Sequence, residues 1–104
     1  MLKKNYEFKK VLNYGQYYYG KQIEAFAIKN ELPINMLGIA VSKKIGKSVS
    51  RNKIKRLIRE SYRLLENDLK TGYSIVILWK KKENPEKANI NIISNDIKNI
   101  FEKM

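Results

Sequence analysis

Apolar residues along this chain follow two rhythms, short alternating runs of strand length and longer spacings of three and four that suit helices. From Asn5 to Asn13, Phe8, Val11 and Leu12 keep the helical spacing, with Asn5 placed to cap the start and Gly15 following the end. A short amphipathic helix is expected there. Tyr17-Tyr18-Tyr19 and Ile23 to Ile28 are aromatic and β-branched stretches divided by Gly20, the pattern of two adjacent strands joined tightly. Asn30-Glu31-Leu32-Pro33 reads as a loop. Behind it, Met36 to Val41 reads as a buried strand with Leu37, Ile39 and Val41 on one face and the small Gly38 and Ala40 on the other.

After a Lys- and Gly-containing loop, Val49 to Asp68 has sustained helical periodicity, with a stop expected at Lys70-Thr71-Gly72. Tyr73 to Trp79 is an almost unbroken apolar run that ends abruptly at Lys80-Lys81-Lys82, as a central strand would. Asn84-Pro85-Glu86 supplies a cap, a first-turn proline and a first-turn acid. Ile90, Ile93, Ile97, Ile100, Phe101 and Met104 then carry a last helix to the end. The expected order is αβββαβα within a single domain, residues 1–104, with no repeat or linker.

Charge changes this picture more than composition does. The 43% hydrophobic content is ordinary for a folded domain, but 22 Lys and Arg against 10 Asp and Glu leave a net charge of +12 on 104 residues. Such an excess repels itself unless a polyanion relieves it, and nucleic acid is the first candidate. An anionic membrane is the other, yet no apolar run is long enough to span one and no signal-peptide pattern opens the chain, so a soluble, cytoplasmic protein without membrane contact is expected. The absence of Cys and His removes disulfides, thiol chemistry, Cys/His zinc sites and imidazole catalysis. The acids, among them Glu7, Glu24 and Glu60, are scattered without paired metal-binding spacing. Neither a catalytic residue nor a metal ligand is therefore assigned to this chain.

Between Lys43 and Arg63 lie nine basic residues and one acid, Glu60. At about 100° per residue a helix gathers Asn52, Lys55, Arg56, Arg59 and Arg63 into one stripe, and Ile54, Leu57, Ile58, Ser61 and Leu65 on the opposite side. Solvated helix faces usually mix signs, because like charges three and four residues apart repel. This stripe instead has the electrostatic footprint of a nucleic-acid site. The preceding loop, from Ser42 to Ser48, can aim its cations and the first free N–H groups of the helix at one phosphate. Its Gly46-Lys47-Ser48 tripeptide lacks the earlier Gly of a phosphate-binding P-loop, so nucleotide hydrolysis is excluded on that ground.

The run Ser42-Lys43-Lys44-Ile45-Gly46-Lys47-Ser48-Val49-Ser50-Arg51-Asn52-Lys53-Ile54-Lys55-Arg56-Leu57-Ile58-Arg59-Glu60 closely resembles the signature of the bacterial ribonuclease P protein family. The family's hallmark is Arg-Asn-Arg; Lys53 in the third place keeps the charge but gives up a planar, bidentate phosphate contact. The helix around Phe8, the strand before the signature, the apolar strand after it and the final helix all fall in the family's order.

This resemblance implies a non-catalytic subunit of a tRNA-processing endonuclease, in which an RNA subunit with its Mg2+ removes the 5′ leader of precursor tRNA. It implies a ribosomal-protein-S5-domain-2-like α+β sandwich with a left-handed βαβ crossover, which sequence reasoning alone would not have proposed. It assigns Lys43, Lys44, Lys47, Arg51, Asn52, Lys53, Lys55, Arg56, Arg59 and Arg63 to the RNA subunit, with loop organisation by hydrogen bonds as the alternative for Asn52. It places the leader in a cleft between the first helix and the sheet, to which Phe8, Leu12, Phe26, Tyr17 and Tyr19 are assigned. Leu12 stands where the family often has an aromatic ring. For Phe8 and Phe26 plain core packing is the alternative, and Tyr17 to Tyr19 alternate faces, so only some can join the cleft. Lys80 to Lys82 either extend the basic surface or blunt a strand end. The implied partners are the ribonuclease P RNA and the precursor tRNA leader; no protein partner is required and no cofactor is assigned to the chain itself. Other readings of the same basic surface are a ribosomal or general RNA-binding protein of similar fold and a DNA binder.

Overall fold

The computed structural model describes Leu2 and residues 4–104 and has the order αβββαβα. Helix α1 spans Asn5–Tyr14, β1 Gln16–Tyr19, β2 Ile23–Lys29, β3 Met36–Ala40, α2 Ser48–Leu65, β4 Tyr73–Trp79 and α3 Ile90–Lys103. The strands make one mixed sheet in the order β1-β2-β4-β3: β2 is antiparallel to β1 and to β4, and β3 runs parallel to β4 with α2 as the crossover between them. Near-continuous apolar strands need cover on both faces, and β4 accordingly takes an inner place.

Strand alternation sorts the side chains into two layers. Ile23, Ala25, Ala27, Leu37, Ile75, Ile77 and Trp79 meet Ile54, Ile58 and Tyr62 of α2 and Ile93, Ile97, Ile100 and Phe101 of α3 in the larger core. Each fully buried Ile contributes about 1.5–3 kcal/mol by leaving water. Ile39 and Val41 pack against this core beside Leu37, as the strand pattern predicts. On the opposite face Val76 lies with Leu2 and Val11, and Phe8, Phe26, Ile28, Met36 and Leu78 close around them half-buried. Gly38 is required there. A Cβ on it would stand 2.7 Å from Cε1 of Phe8, so only a residue without a side chain lets that ring of α1 settle on the sheet.

Three boundaries differ from the sequence expectation. Asn5 is not the cap of α1: the Lys4 carbonyl accepts from the N–H groups of Glu7 (3.1 Å) and Phe8 (3.3 Å), which makes Lys4 the N-cap and Asn5 the first helical residue. Gly72 is not the stop of α2, which gives way at Glu66 to a one-turn 3-10 helix, Glu66–Asp68. Gly72 instead enters β4 at φ +92, its carbonyl accepting from the N–H of Asn30 at 2.9 Å. The last helical segment is two elements. Asn84 caps a 3-10 turn, Pro85–Lys87, and α3 starts afresh at Ile90 with the Asn89 side chain accepting from the N–H groups of Asn91 and Ile92.

A distant residue holds that break. The buried Gln22 amide donates to the Lys87 carbonyl (2.7 Å) and accepts from the Asn89 N–H (3.1 Å), so both of its polar atoms are satisfied by the interruption itself. Next to it, the buried Asp96 carboxylate accepts from the N–H groups of Lys21 (2.9 Å), Gln22 (2.8 Å) and Ile23 (3.3 Å) and clamps the β1–β2 turn onto α3.

Candidate nucleic-acid interface

Strand directions bring the basic segments together. With β3 parallel to β4 and β2 antiparallel to β4, the C-terminal ends of β1, β3 and β4 share one end of the sheet. The loop 42–47 leaves β3 there, and Lys80, Lys81 and Lys82 leave β4 there. Gly46 turns the first loop into α2 at φ +56, and a Cβ on it would lie 3.9 Å from Pro85, so the two loops run side by side.

Lys43, Lys44 and Lys47 are exposed on this loop, and Asn52, Lys53, Arg56, Arg59 and Arg63 are exposed along α2, with Lys55 half-buried among them. Ile54, Ile58, Ser61 and Tyr62 are buried on the other side of the helix, with Leu57 and Leu65 packed at the margin. The basic stripe and the apolar stripe are thus separated as their spacing predicts. From Asn52 to Arg63 the stripe runs about 16 Å along the helix axis, long enough to follow several consecutive phosphates. Lys47, the N-cap, makes no side-chain cap bond and the first turn carries no acid, so the positive end of the α2 dipole adds to the loop cations.

Arg51 occupies a different position from its neighbours. Its half-buried guanidinium donates from Nη1 to the carbonyls of Lys43 (3.3 Å) and Gly46 (3.0 Å), bracing the loop from inside the helix. Arg51, rather than the exposed Asn52, therefore organises the loop by hydrogen bonds.

The second surface lies across the sheet, beside α1. Register sets Tyr17 opposite Phe26, with ring centroids 5.1 Å apart and tilted by 52°, and Tyr19 continues the row 6.1 Å from Tyr17 at 25°. Tyr18 points to the other layer and packs against the larger core, which settles which tyrosines reach this face. Phe8 and Phe26 are each half-buried, so both serve as packing and still present ring surface. Leu12 follows Phe8 by one helical turn and is exposed. Tyr17 and Tyr19 are 47% and 61% exposed, available as stacking platforms.

Polar groups finish the row. The Tyr17 hydroxyl donates to Glu24 at 2.7 Å, and the neighbouring carboxylate raises that phenol to about 12, because ionisation would lose the bond and set two negative charges together. Lys80 continues the strand by donating its N–H to the Gln22 carbonyl (3.0 Å), and its Nζ lies 5.3 Å from the centre of the Tyr19 ring. Lys80 thus reaches the aromatic face, and Lys81 and Lys82 follow it in lining a recess beside Glu24. Sequence reasoning left out Glu24 as a member of this face, although alternation in Ile23-Glu24-Ala25-Phe26 puts it beside Phe26. It also left out Gln22 and Asp96, whose partners lie more than sixty residues away. The one available signal was an acid, Asp96, within the apolar stripe of α3. Among the described residues no three metal-ligating side chains converge, and no helix is long and apolar enough to cross a membrane.

A sequence model described as Ribonuclease P matches residues 1–104. The ribonuclease P protein component of Clostridium botulinum strain 657 is 46% identical over 99 residues, covering 88% of this chain and 89% of that protein. The component from Natranaerobius thermophilus is 49% identical over 77 residues, covering 74% of this chain and 67% of its own length. Among solved structures, the RNase P protein from Thermotoga maritima in complex with 1-(4-fluorophenyl)-2-thiourea matches with a TM-score of 0.90 at 26% identity, covering 100% of this chain and 99% of that one.

Proposed function

The chain belongs to the ribonuclease P protein family, and on that premise we propose that it acts as the non-catalytic subunit of the endoribonuclease that removes the 5′ leader of precursor tRNA. The observation that carries this reading is the separation of two surfaces on one sheet: a stripe of exposed cations on α2 and its loop, and a row of half-open aromatic rings beside α1. The stripe takes the RNA subunit through Lys43, Lys44, Lys47, Asn52, Lys53, Lys55, Arg56, Arg59 and Arg63, with Arg51 holding the loop in shape. The row takes the single-stranded leader, whose unstacked bases lie on Phe8, Phe26, Tyr17 and Tyr19 with Leu12 at the edge.

The enzyme RNA and the substrate are both polyanions, and bringing them together is opposed by their charge. A chain of +12 between them releases counterions and lowers that opposition. Holding the leader on one face while the other face grips the catalytic RNA turns leader recognition into an intramolecular event. The bond-breaking step is assigned to the RNA subunit and its Mg2+. With no His or Cys and with dispersed acids, this chain contributes binding and positioning. The protein works in the cytoplasm and needs no second protein.

Reconstitution tests the proposal. Adding the chain to a ribonuclease P RNA is expected to permit precursor tRNA cleavage at a magnesium concentration where the RNA alone is slow, while the protein alone cuts nothing. A basic protein that binds the RNA yet leaves the magnesium requirement unchanged would mark a general RNA binder instead.

A further inference from the structure

The two edges of the sheet carry different surfaces. At the β3 edge, Arg59 and Arg63 of α2 line a recess with Asn35 and Leu37, so the basic stripe lies on that side. At the β1 edge, the β1–β2 turn and α3 enclose a groove of about 500 Å³, walled by Tyr19, Lys21, Asn95, Lys98, Asn99 and Lys103. Its chemistry suits a sugar–phosphate backbone. Lys21, Lys98 and Lys103 are exposed cations, and the exposed amides of Asn95 and Asn99 offer donors to phosphate oxygens and both donors and acceptors to 2′-hydroxyls. Asn is a poor residue for a helix interior because its amide competes for backbone bonds, yet α3 sets two of them one turn apart on the wall of this groove. Two acids border it as well. Asp96 is buried and already accepts from three backbone N–H groups, which leaves Glu102 as the acid exposed to a ligand.

Tyr19 joins the groove to the aromatic row. Its ring is 61% exposed and lies 6.1 Å from that of Tyr17, and it has two cations near its centre, Lys80 Nζ at 5.3 Å from the end of β4 and Lys103 Nζ at 5.9 Å from α3. We propose that the groove between β1 and α3 is a third RNA-binding surface, which holds the backbone of the leader's 5′ nucleotides once the strand has passed the aromatic row, without regard to base. This inference rests on the leader-binding reading above and extends it to a different face of the molecule. A strand that enters beside the loop 42–47 and crosses from β3 toward β1 leaves the sheet over Tyr19, and the groove on α3 is what it meets there. The RNA subunit, held on α2 at the opposite edge, leaves this groove to the substrate.

The affinity of the reconstituted holoenzyme is measured for precursor tRNAs with no leader, with a leader of about four nucleotides and with one of about twelve. The long leader is expected to bind about fivefold tighter than the short one, and its log affinity to fall more steeply with log salt by about 1.4, the share of two single-strand phosphates. Lys21→Glu combined with Lys98→Glu should bring the long leader down to the affinity of the short one and remove the extra slope, while the short leader binds as before. Asn95→Ala combined with Asn99→Ala separates binding from folding, because alanine is the better helix former: thermal stability should hold or rise while most of the gain from the long leader is lost. Equal affinity for short and long leaders in the unmodified protein overturns the inference, as does a gain that survives Lys21→Glu with Lys98→Glu. A short leader bound no better than none would instead overturn the leader cleft on which the inference rests.

Discussion

Among the described residues, fifteen are buried in one apolar cluster on the α2 and α3 side of the sheet, whereas the apolar cluster on the α1 side buries Leu2, Val11 and Val76 and leaves five side chains around them half-open. The first face has two helices and uses them to exclude water. The second has one helix of ten residues, too short to cover four strands; Phe26 is half-buried, and Tyr17 and Tyr19 keep much of their ring surface in solvent. Leaving a ring open forgoes part of the ~1.5–3 kcal/mol that full burial would supply. The fold thus seals one layer with two helices and leaves aromatic rings open on the other, while the cations of α2 stand on the outer side of the sealed layer. The sealed layer anchors the apolar side of α2, and the thin layer leaves Tyr17 and Tyr19 open to solvent.

Hollowing the sealed layer is expected to have the largest effect. Ile58→Ala removes a fully buried side chain from the larger core, and a loss of about 2–5 kcal/mol in urea-monitored unfolding free energy is expected. A loss under ~1 kcal/mol would mean that the layer is loosely packed and does not anchor α2. Reversing Arg56 and Arg59 to Glu acts on the outer side of the same helix. Affinity for the RNA subunit should fall on the order of 10- to 100-fold, and the slope of log affinity against log salt should flatten by about 1.4–1.8 as two phosphate contacts are lost. The unfolding midpoint should barely move, since both side chains are exposed.

Phe8→Ala probes the thin layer. Because the ring is half-buried, about 2 kcal/mol or less of stability should be lost, together with about 5- to 10-fold in the preference for a leader-bearing over a leaderless substrate. Global unfolding with no selective loss would return Phe8 to the core. The smallest effect concerns the Tyr17 phenol. Its ordinary value of 10.0 is raised to about 12, so the neutral form is favoured in the folded protein; the resulting stabilisation is present below pH 10 and is lost as pH rises through about 12. Absorbance titration should show late-ionising tyrosines, of which Tyr17 returns toward 10.0 in Glu24→Ala while the buried Tyr62 stays raised.

Much of the fold was legible because periodicity reports burial directly. The spacing of Ile54, Ile58 and Leu65 against Arg56, Arg59 and Arg63 predicted which side of α2 packs, and the alternation of Leu37, Gly38 and Ile39 predicted the two faces of β3. The candidate site was legible where charge and apolar residues share a helix. It was less so where the face depends on a partner strand. Which of three consecutive tyrosines stand beside Phe26 follows from the β1–β2 register, and that register is held by Asp96 on α3, far along the chain. The split between Pro85–Lys87 and α3 was hidden for the same reason, since Gln22 supplies the hydrogen bonds that make the break favourable.

Spacing and charge are readable along the chain alone: they require that α2 turn its basic face to solvent and make a polyanion the expected partner of a chain of net charge +12. Tertiary packing was needed to bring Lys80 to Tyr19, to set Tyr17 against Glu24 across the β1–β2 pair, and to clamp the β1–β2 turn with Asp96. Each of those depends on strand direction and on distances across the fold, which local pattern does not encode.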